Sequence, residues 1–399
     1  MGLFWKNSRL KKQQDMTVKR AIGLEGFICI LVLFAVFGAL GGVMGLANMV
    51  NTLLNTAYSL LMNTVFYIMA IAVVAGAIAG LLTEFGVIAI LNRLFSPLMK
   101  PLYGLPGAAV LSIFTTYLSD NPAVLTLCDD KNFKGYFSPA QLPVLNNIGT
   151  AFGMGLVITV FMLGLAPAGG GSFGAAVLVG NLGAIAGSIV SARLMLWKSK
   201  KTLGNSPAKP EGERTFDILH YRVVREGSVM QRLLSAMMDG GASGVKTGLS
   251  IIPGVLVVCT IVMILTNGAP ESGVYTGAAG EGVGFLPIVA DKISFLLTPL
   301  FGFSSPQALS VPITALGSAG AAIGLVPDLV SGGIVQAGDI AVFTAMCMCW
   351  SGYLSTHVAM MDALGCRKLT GSAILFHTLG GLVAGVSAHW LYKLISLIL

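Results

Sequence analysis

Charge is scarce in this chain. Of its 399 residues only 10% are Asp, Glu, Lys or Arg, while 55% are hydrophobic. A soluble globular domain carries roughly 25% charged residues, so there is too little charge here to solvate a surface of this size. Two catalytic signatures are also missing: the sequence contains no H-E-x-x-H and no Walker A lysine. The stretch 169–174, "GGGSFG", matches a dinucleotide fingerprint literally, but it joins two apolar spans and follows no strand, so that reading fails. The six cysteines show no C-x2-C spacing. Cys347 and Cys349 are two apart and point to different sides of a helix, and the set reads as small apolar packing residues. The formal net charge of +7 is no nucleic-acid footprint, because the basic residues cluster beside apolar spans.

Long apolar runs are what the sequence does have. Many reach the roughly 18–20 residues that cross a bilayer as helix, which makes this an all-α polytopic membrane protein. The basic start, "MGLFWKNSRLKKQQDMTVKR", precedes an apolar run far longer than a signal-peptide core and reads as a tail before an uncleaved first span. The Met1-Gly2 start lacks the acylation pattern, since Lys6 stands where Ser or Thr is needed. Seven spans are expected, at about 22–47, 58–82, 139–165, 173–197, 247–267, 338–363 and 370–393. Interfacial stretches fall near 83–104, with Arg93 and Lys100, and near 285–303. Two further apolar stretches, about 105–127 and 304–329, are interrupted near their middles. The expected division is 1–57 for the tail and first span, 58–197 for one repeat, 198–246 for a cytoplasmic linker and 247–399 for a second repeat.

Loop charge sets the orientation. With the tail in the cytoplasm, Arg93, Lys100, Lys131, Lys134, the linker lysines Lys198, Lys200 and Lys201, Arg222, Arg225, Arg367 and Lys368 all fall inside. The loop with Glu271 and Glu281 and no Lys or Arg falls outside. This holds only if 105–127 enters and leaves on one side, which makes it a re-entrant hairpin.

The interrupted stretches are copies of one another. "PLYGLPGAAVLSIFTTYLSDNPAVLTL" (101–127) lies over "PLFGFSSPQALSVPITALGSAGAAIGL" (299–325) without a gap, pairing Pro101 with Pro299, Gly104 with Gly302, Ser112 with Ser310 and Thr116 with Thr314. Three full crossings separate equivalent points, and an odd number turns the second copy upside down. Inverted repeats with discontinuous helices are the plan of many secondary transporters, which hold solute at the midplane. In the first copy Ser119, Asp120 and Asn121 are capping residues and Pro122 suits a first helical turn, so "SDNP" reads as a hairpin tip. In the second copy Ser318 takes the place of Asp120.

On the residues "PLYGLPGAAVLSIFTTYLSDNPA" and "SPAQLPVLNNIGTAFGMG" and their partners in 299–353, the chain resembles the nucleoside-recognition (Gate-domain) membrane proteins. These include the spore maturation A and B proteins, here as if fused in one chain. It is also similar to the core repeats of concentrative nucleoside transporters and to the membrane part of the ferrous-iron transporter B. The glutamate-containing hairpin signatures that hold base and ribose in the nucleoside transporters are absent, as is a GTPase domain. The resemblance therefore implies the architecture, a transport-like site and a bacterial cytoplasmic (inner) membrane location, and leaves the solute open.

Asp120 is the sharpest candidate, because an ionisable residue at the bilayer centre costs roughly 2.5–3.5 kcal/mol on insertion scales. It suits Na⁺, H⁺ or a cationic or hydroxylated solute, or else serves as a helix cap. Asn146, Asn147 and Thr150 offer amide and hydroxyl groups to a neutral polar solute, or else bond helix to helix. Thr116, Ser119, Asn121, Thr314 and Ser318 belong to the two hairpins, and Ser351 and His357 to the span that follows the second, where His357 is a candidate proton relay. His377 and His389 read as structural or interfacial, and Asp339 as a helix N-cap. Two functions remain in view. One is a secondary transporter for a small polar solute, nucleoside-like by resemblance, coupled to Na⁺ or H⁺ and using no other cofactor. The other is a non-transporting scaffold or complex subunit of the spore-maturation type. The expected partners are the lipid bilayer, the solute and, as an open alternative, further copies of the chain; no nucleic acid is expected.

Overall fold

The computed structural model describes residues 21–121, 123–129, 131–167, 170–204, 221–270 and 272–398. The basic tail, Pro122, Glu271 and the 205–220 part of the expected linker lie outside the described residues. The protein is an all-α polytopic membrane protein. Among the described residues six helices are long and apolar enough to cross a bilayer: Leu24–Met44, Leu46–Glu84, Leu142–Gly164, Gly174–Leu203, Val229–Thr266 and Arg367–Ile395. A seventh crossing, matching the expected 338–363, is split into Ala337–Trp350 and Tyr353–Ala363.

Val229–Thr266 begins well before the expected span at 247. Its first half, with Gln231, Arg232 and Asp239, looks like linker in the sequence because it is polar. It is helical because its polar groups are paired. Ser228 accepts the Gln231 N–H while Gln231 accepts the Ser228 N–H, a capping box. The nearly buried Glu84 carboxylate accepts from Arg225 Nη1 and Arg232 Nε, each at 2.7 Å, and Asp239 takes Arg225 Nη2 at 3.0 Å. Glycines on its other face let it approach the 46–84 helix backbone to backbone: Cβ atoms at Gly76 and Gly80 would overlap the carbonyl oxygens of Gly240 and Ala236. Each of these two long helices contains one π turn, Leu60–Val65 and Gly254–Cys259, and the two turns lie together.

The register that pairs Pro101 with Pro299 continues through the three-dimensional structure. The interfacial helix Val87–Tyr103 is matched by Phe285–Lys292 and Ser294–Phe301. Each copy opens and closes that segment on a left-handed glycine, Gly86 and Gly104 in one, Gly284 and Gly302 in the other. Two short hairpins follow. Ala109–Leu118 turns at 119–121 into Ala123–Asp129, and Ser310–Gly317 turns at Ser318 into Ala319–Gly324. At 1.5 Å per residue the ten residues of Ala109–Leu118 reach about 15 Å, half of a hydrocarbon core, so neither hairpin leg crosses the membrane. Next in each copy is a broken helix: Leu142–Thr150 and Gly155–Gly164 meet at Met154 (φ 53°), and Ala337–Trp350 and Tyr353–Ala363 meet at Gly352 (φ 70°).

The copies run in opposite directions. Their last helices, Gly174–Leu203 and Thr370–Ile395, pack closely, a Cβ at Gly183 meeting the Ala384 carbonyl at 2.7 Å and one at Gly187 overlapping the Gly380 carbonyl. Ascending one helix is descending the other, so equivalent elements are antiparallel. Asp339, expected as an N-cap, sits one turn inside its helix: the cap is Gln336, whose N–H donates to Asp339 Oδ2 at 2.8 Å, and the same carboxylate takes the Ser304 hydroxyl at 2.6 Å.

Outside the bundle, the loop after Thr266 folds over the 46–59 helix segment. Asn48 and Asn55 donate to the Tyr275 and Gly277 carbonyls. Glu281 gathers the Thr276 hydroxyl at 2.7 Å and the Gly277 N–H at 3.0 Å. Burial pushes the Glu281 carboxyl up, but the Thr276 hydroxyl and the N–H groups of Thr276, Gly277 and Ala278 outweigh it and hold it below the ordinary value of 4.5.

Candidate functional site

Four interruptions of regular backbone meet in the middle of the bundle: the two hairpin tips and the two helix breaks. Each tip rests on the break of its own copy. A Cβ at Gly153 would overlap Asn121 Oδ1, and one at Gly352 would come within 3.0 Å of the Gly317 carbonyl. The Gly352 N–H donates to the Ala315 carbonyl at 3.0 Å. The copies also touch each other here, because Asn121 Nδ2 donates to the Ser351 carbonyl at 2.6 Å. The same Cβ at Gly153 would overlap Ser351 Oγ as well. Asn121 Oδ1 and Ser351 Oγ thus flank a single point, and neither has a hydrogen-bond partner. Buried polar atoms are rarely left so.

Against this junction lies a cavity of about 370 Å³. Asp120 and Met154 line it from the first copy, and Ser318, Ser351 and Thr356 from the second, with Gly254 of the second π turn closing it. Irregular backbone at membrane depth survives where it lines a cavity, and π turns recur at functional sites. Asp120 Oδ1 accepts the Asn121 N–H at 2.7 Å, and its carboxylate is the one ionisable group among the cavity's lining residues. With an anion and no cation on its walls, the cavity suits a cation or a neutral solute rich in hydroxyl or amide groups, and disfavours an anion.

The expected site residues divide into three groups. Asp120, Ser318 and Ser351 line the cavity, with Asn121 beside it. Ser318 also caps the second leg of its hairpin, its Oγ accepting the Ala321 N–H at 3.2 Å, and Ser119 closes the first leg through its N–H to the Thr116 carbonyl. Thr116, Thr150 and Thr314 are buried and spend their hydroxyls one turn back, on the carbonyls of Ser112, Asn146 and Ser310 at 2.7–2.8 Å. Asn147 and His357 belong to a separate buried cluster, and Asn146 is buried beside Asn147 in the chain. Asn147 Nδ2 donates to Ser191 Oγ and to the Ala373 carbonyl, both at 3.0 Å. Ser191 continues to His377 Nδ1 at 3.2 Å, and the His377 ring lies 4.7 Å from that of His357. Both ring nitrogens of His357 and both amide atoms of Asn146 are buried without a hydrogen-bond partner.

Sequence reasoning does not single out Met154, Ser250 or Gly254. A signal exists for the first: in the repeat register Met154 pairs with Gly352, where the left-handed backbone that the break requires costs least. Nothing in the sequence marks Ser250 or Gly254, because the second π turn that brings them to the cavity is set by packing between two long helices.

No family model matches this chain, and no curated protein does. Among solved structures it is similar to those of CNTnw, a concentrative nucleoside transporter. With CNTnw in an inward-facing, substrate-bound state it shares 12% identity at a TM-score of 0.49, covering 92% of this chain and 85% of that one. With a double variant of CNTnw in an outward-facing state it shares 13% identity at a TM-score of 0.47, covering 93% and 86%. The chains correspond along most of their length but superpose only in part.

Proposed function

We propose that this chain is a secondary transporter that carries a small polar solute, neutral or cationic, through the cavity between the two hairpin tips, with H⁺ or Na⁺ as the coupling ion. The observation that carries this reading is the convergence of two tips, two breaks and a π turn on one cavity whose only ionisable lining residue is Asp120. Asp120 holds the proton or solute, and the unpartnered oxygens of Asn121 and Ser351 are hard ligands of the type a small cation takes. Movement of a tip against its break alternately closes the cavity to one side and then the other. The membrane is the bacterial cytoplasmic one, with the basic loops inside. A nucleoside-like solute is the first to try, from the resemblance in the hairpin motifs.

A second reading, a non-transporting subunit, draws on the buried hydrogen bonds of Asn147 to Ser191 and Ala373. Uptake into proteoliposomes separates the two. Labelled nucleosides and amino acids are offered under an inward Na⁺ or proton gradient to wild type and to Asp120→Asn. A transporter shows gradient-dependent uptake that falls about tenfold or more in the variant, the worth of a lost charge-assisted contact. Absence of both uptake and solute-induced thermal stabilisation, with Asp120→Asn indistinguishable from wild type, sinks the transport reading.

A further inference from the structure

A second cavity, of about 290 Å³, lies away from the first, between the interfacial helix Val87–Tyr103, the hairpin leg Ala109–Leu118 and the helix Gly174–Leu203. Its walls are apolar, with Phe95, Leu98, Leu102, Phe114 and Ile185 among them. Four of these five, Phe95, Leu98, Leu102 and Ile185, are also more than a third exposed, so the mouth opens sideways toward lipid. The polar side chains that line it, Tyr103, Tyr117 and Asn181, are already paired, Tyr103 Oη with Ser188 Oγ at 2.7 Å. Tyr117 Oη donates to Asn181 Oδ1 at 3.1 Å, and Asn181 Nδ2 donates to Thr159 Oγ1 at 3.1 Å and to the Val177 carbonyl at 2.9 Å. An occupant finds no hydrogen bond there and must be hydrocarbon.

The rim has a different chemistry. Asn181, Ile185, Ile189 and Arg193 follow at four-residue intervals on one face of the same helix. The exposed Arg193 guanidinium donates Nε to the Leu102 carbonyl at 2.7 Å and Nη2 to the Pro101 carbonyl. A guanidinium has five N–H donors, so three remain. One turn further on, exposed Trp197 and Lys201 form a cation–π pair at 5.8 Å, the aromatic and basic pairing that sits at headgroup level. From Arg193 to Asn181 the helix rises about 18 Å, close to the roughly 15 Å depth of one leaflet's hydrocarbon.

We propose that this groove is a binding site for one anionic phospholipid, with its phosphate on Arg193 and one acyl chain lying along Ile189 and Ile185 into the cavity above Tyr117. The fit is one of both charge and length: a cation at interface depth, an apolar slot below it, and a floor that asks nothing polar of its ligand. Tyr117 also packs its ring on Gly155 at the first helix break, so the chain lies one residue away from the moving parts of the first copy.

The test uses the full chain, purified in detergent, delipidated and then titrated with phosphatidylglycerol or phosphatidylcholine. Bound lipid is counted by native mass spectrometry, and thermal stabilisation is read in parallel. Wild type should retain one phosphatidylglycerol and prefer it over phosphatidylcholine by about fivefold, the effect of one basic residue near an anionic lipid. Arg193→Gln should abolish the preference while leaving some lipid bound. Ile185→Trp, at an exposed position in the mouth, should abolish retention of either lipid. Unchanged retention in Ile185→Trp overturns the site. If that variant fails to fold, the decision passes to Arg193→Gln, and an unaltered preference there overturns it equally. Displacement of phosphatidylglycerol by stoichiometric oleate would overturn the phospholipid assignment in favour of a free fatty acid.

Discussion

The two hairpin tips occupy equivalent places in the repeat and do different chemistry. The first, Ser119–Asp120–Asn121, brings a carboxylate and an amide to the junction. The second, Gly317–Ser318–Ala319, brings one hydroxyl and closeness: a Cβ at Gly320 would meet Ile251 at 2.8 Å, and one at Gly254 would meet Ser318 Oγ at 2.7 Å. The breaks are asymmetric in the opposite sense. Gly153 lies under the polar tip, whereas its counterpart in the repeat register is Ser351, which carries a side chain there. Duplication and inversion make the frame symmetric. The cavity is not symmetric: its carboxylate comes from one tip, and the other tip supplies a hydroxyl and close backbone approach.

Exchanging the copies' residues at the break should give the largest effect. Gly153→Ser makes the first break resemble the second, and the new side chain overlaps Asn121 Oδ1 and Ser351 Oγ. Overpacking of this kind costs about 1–3 kcal/mol, and solute-induced thermal stabilisation and uptake should both fall to background. The reverse exchange, Ser351→Gly, removes an unpartnered hydroxyl and should keep the protein folded with reduced uptake. If Gly153→Ser transports normally, the close contact between tip and break has no functional role.

The tips come next. Asp120→Asn should lower uptake about tenfold or more, whereas Ser318→Ala should act mainly on the fold, by about 1 kcal/mol for a lost helix cap, with uptake reduced only a few-fold. Equal effects would mean that the asymmetry between the tips is structural only, and thermal shift measured beside uptake tells the two apart.

The smallest effect is expected where the second copy has a feature the first lacks, the loop anchored by Glu281. Its hydrogen bonds hold the carboxyl below 4.5, so the charged form is the one that stabilises the folded state. That stability is complete above the unfolded value and is lost as pH falls below about 4.5 through the folded value. The wild-type melting temperature should therefore drop in that acid range, and Glu281→Gln should start lower and flatten the drop. A variant with the same acid profile as wild type would place the titration elsewhere.

Much of this frame is readable without coordinates. The ungapped match of 101–127 with 299–325 locates both hairpins, and Ser119–Asp120–Asn121 marks the first tip because these side chains favour ends of helices. The break at Met154 is harder to see, since only its pairing with Gly352 betrays a left-handed residue. The helical character of 229–246 is hidden by its polarity, because its charges are compensated by Glu84 from a distant segment. The polar residues within the spans are the least legible. A threonine in a helix reads the same whether it faces a solute or bonds one turn back, as Thr116, Thr150 and Thr314 do.

By itself, the amino-acid order determined that this chain lives in lipid, that it contains two copies of one unit, and where each unit interrupts its helices. These follow from local quantities: apolar length, capping chemistry and the parity of crossings. Only the tertiary structure decided that Asp120, Ser318 and Ser351 share one cavity while Asn147 joins Ser191 and His377 in a buried cluster. That choice depends on the rotation and depth of helices far apart in the chain. Those are set by glycine contacts between antiparallel partners and by two π turns, which no short stretch of sequence encodes.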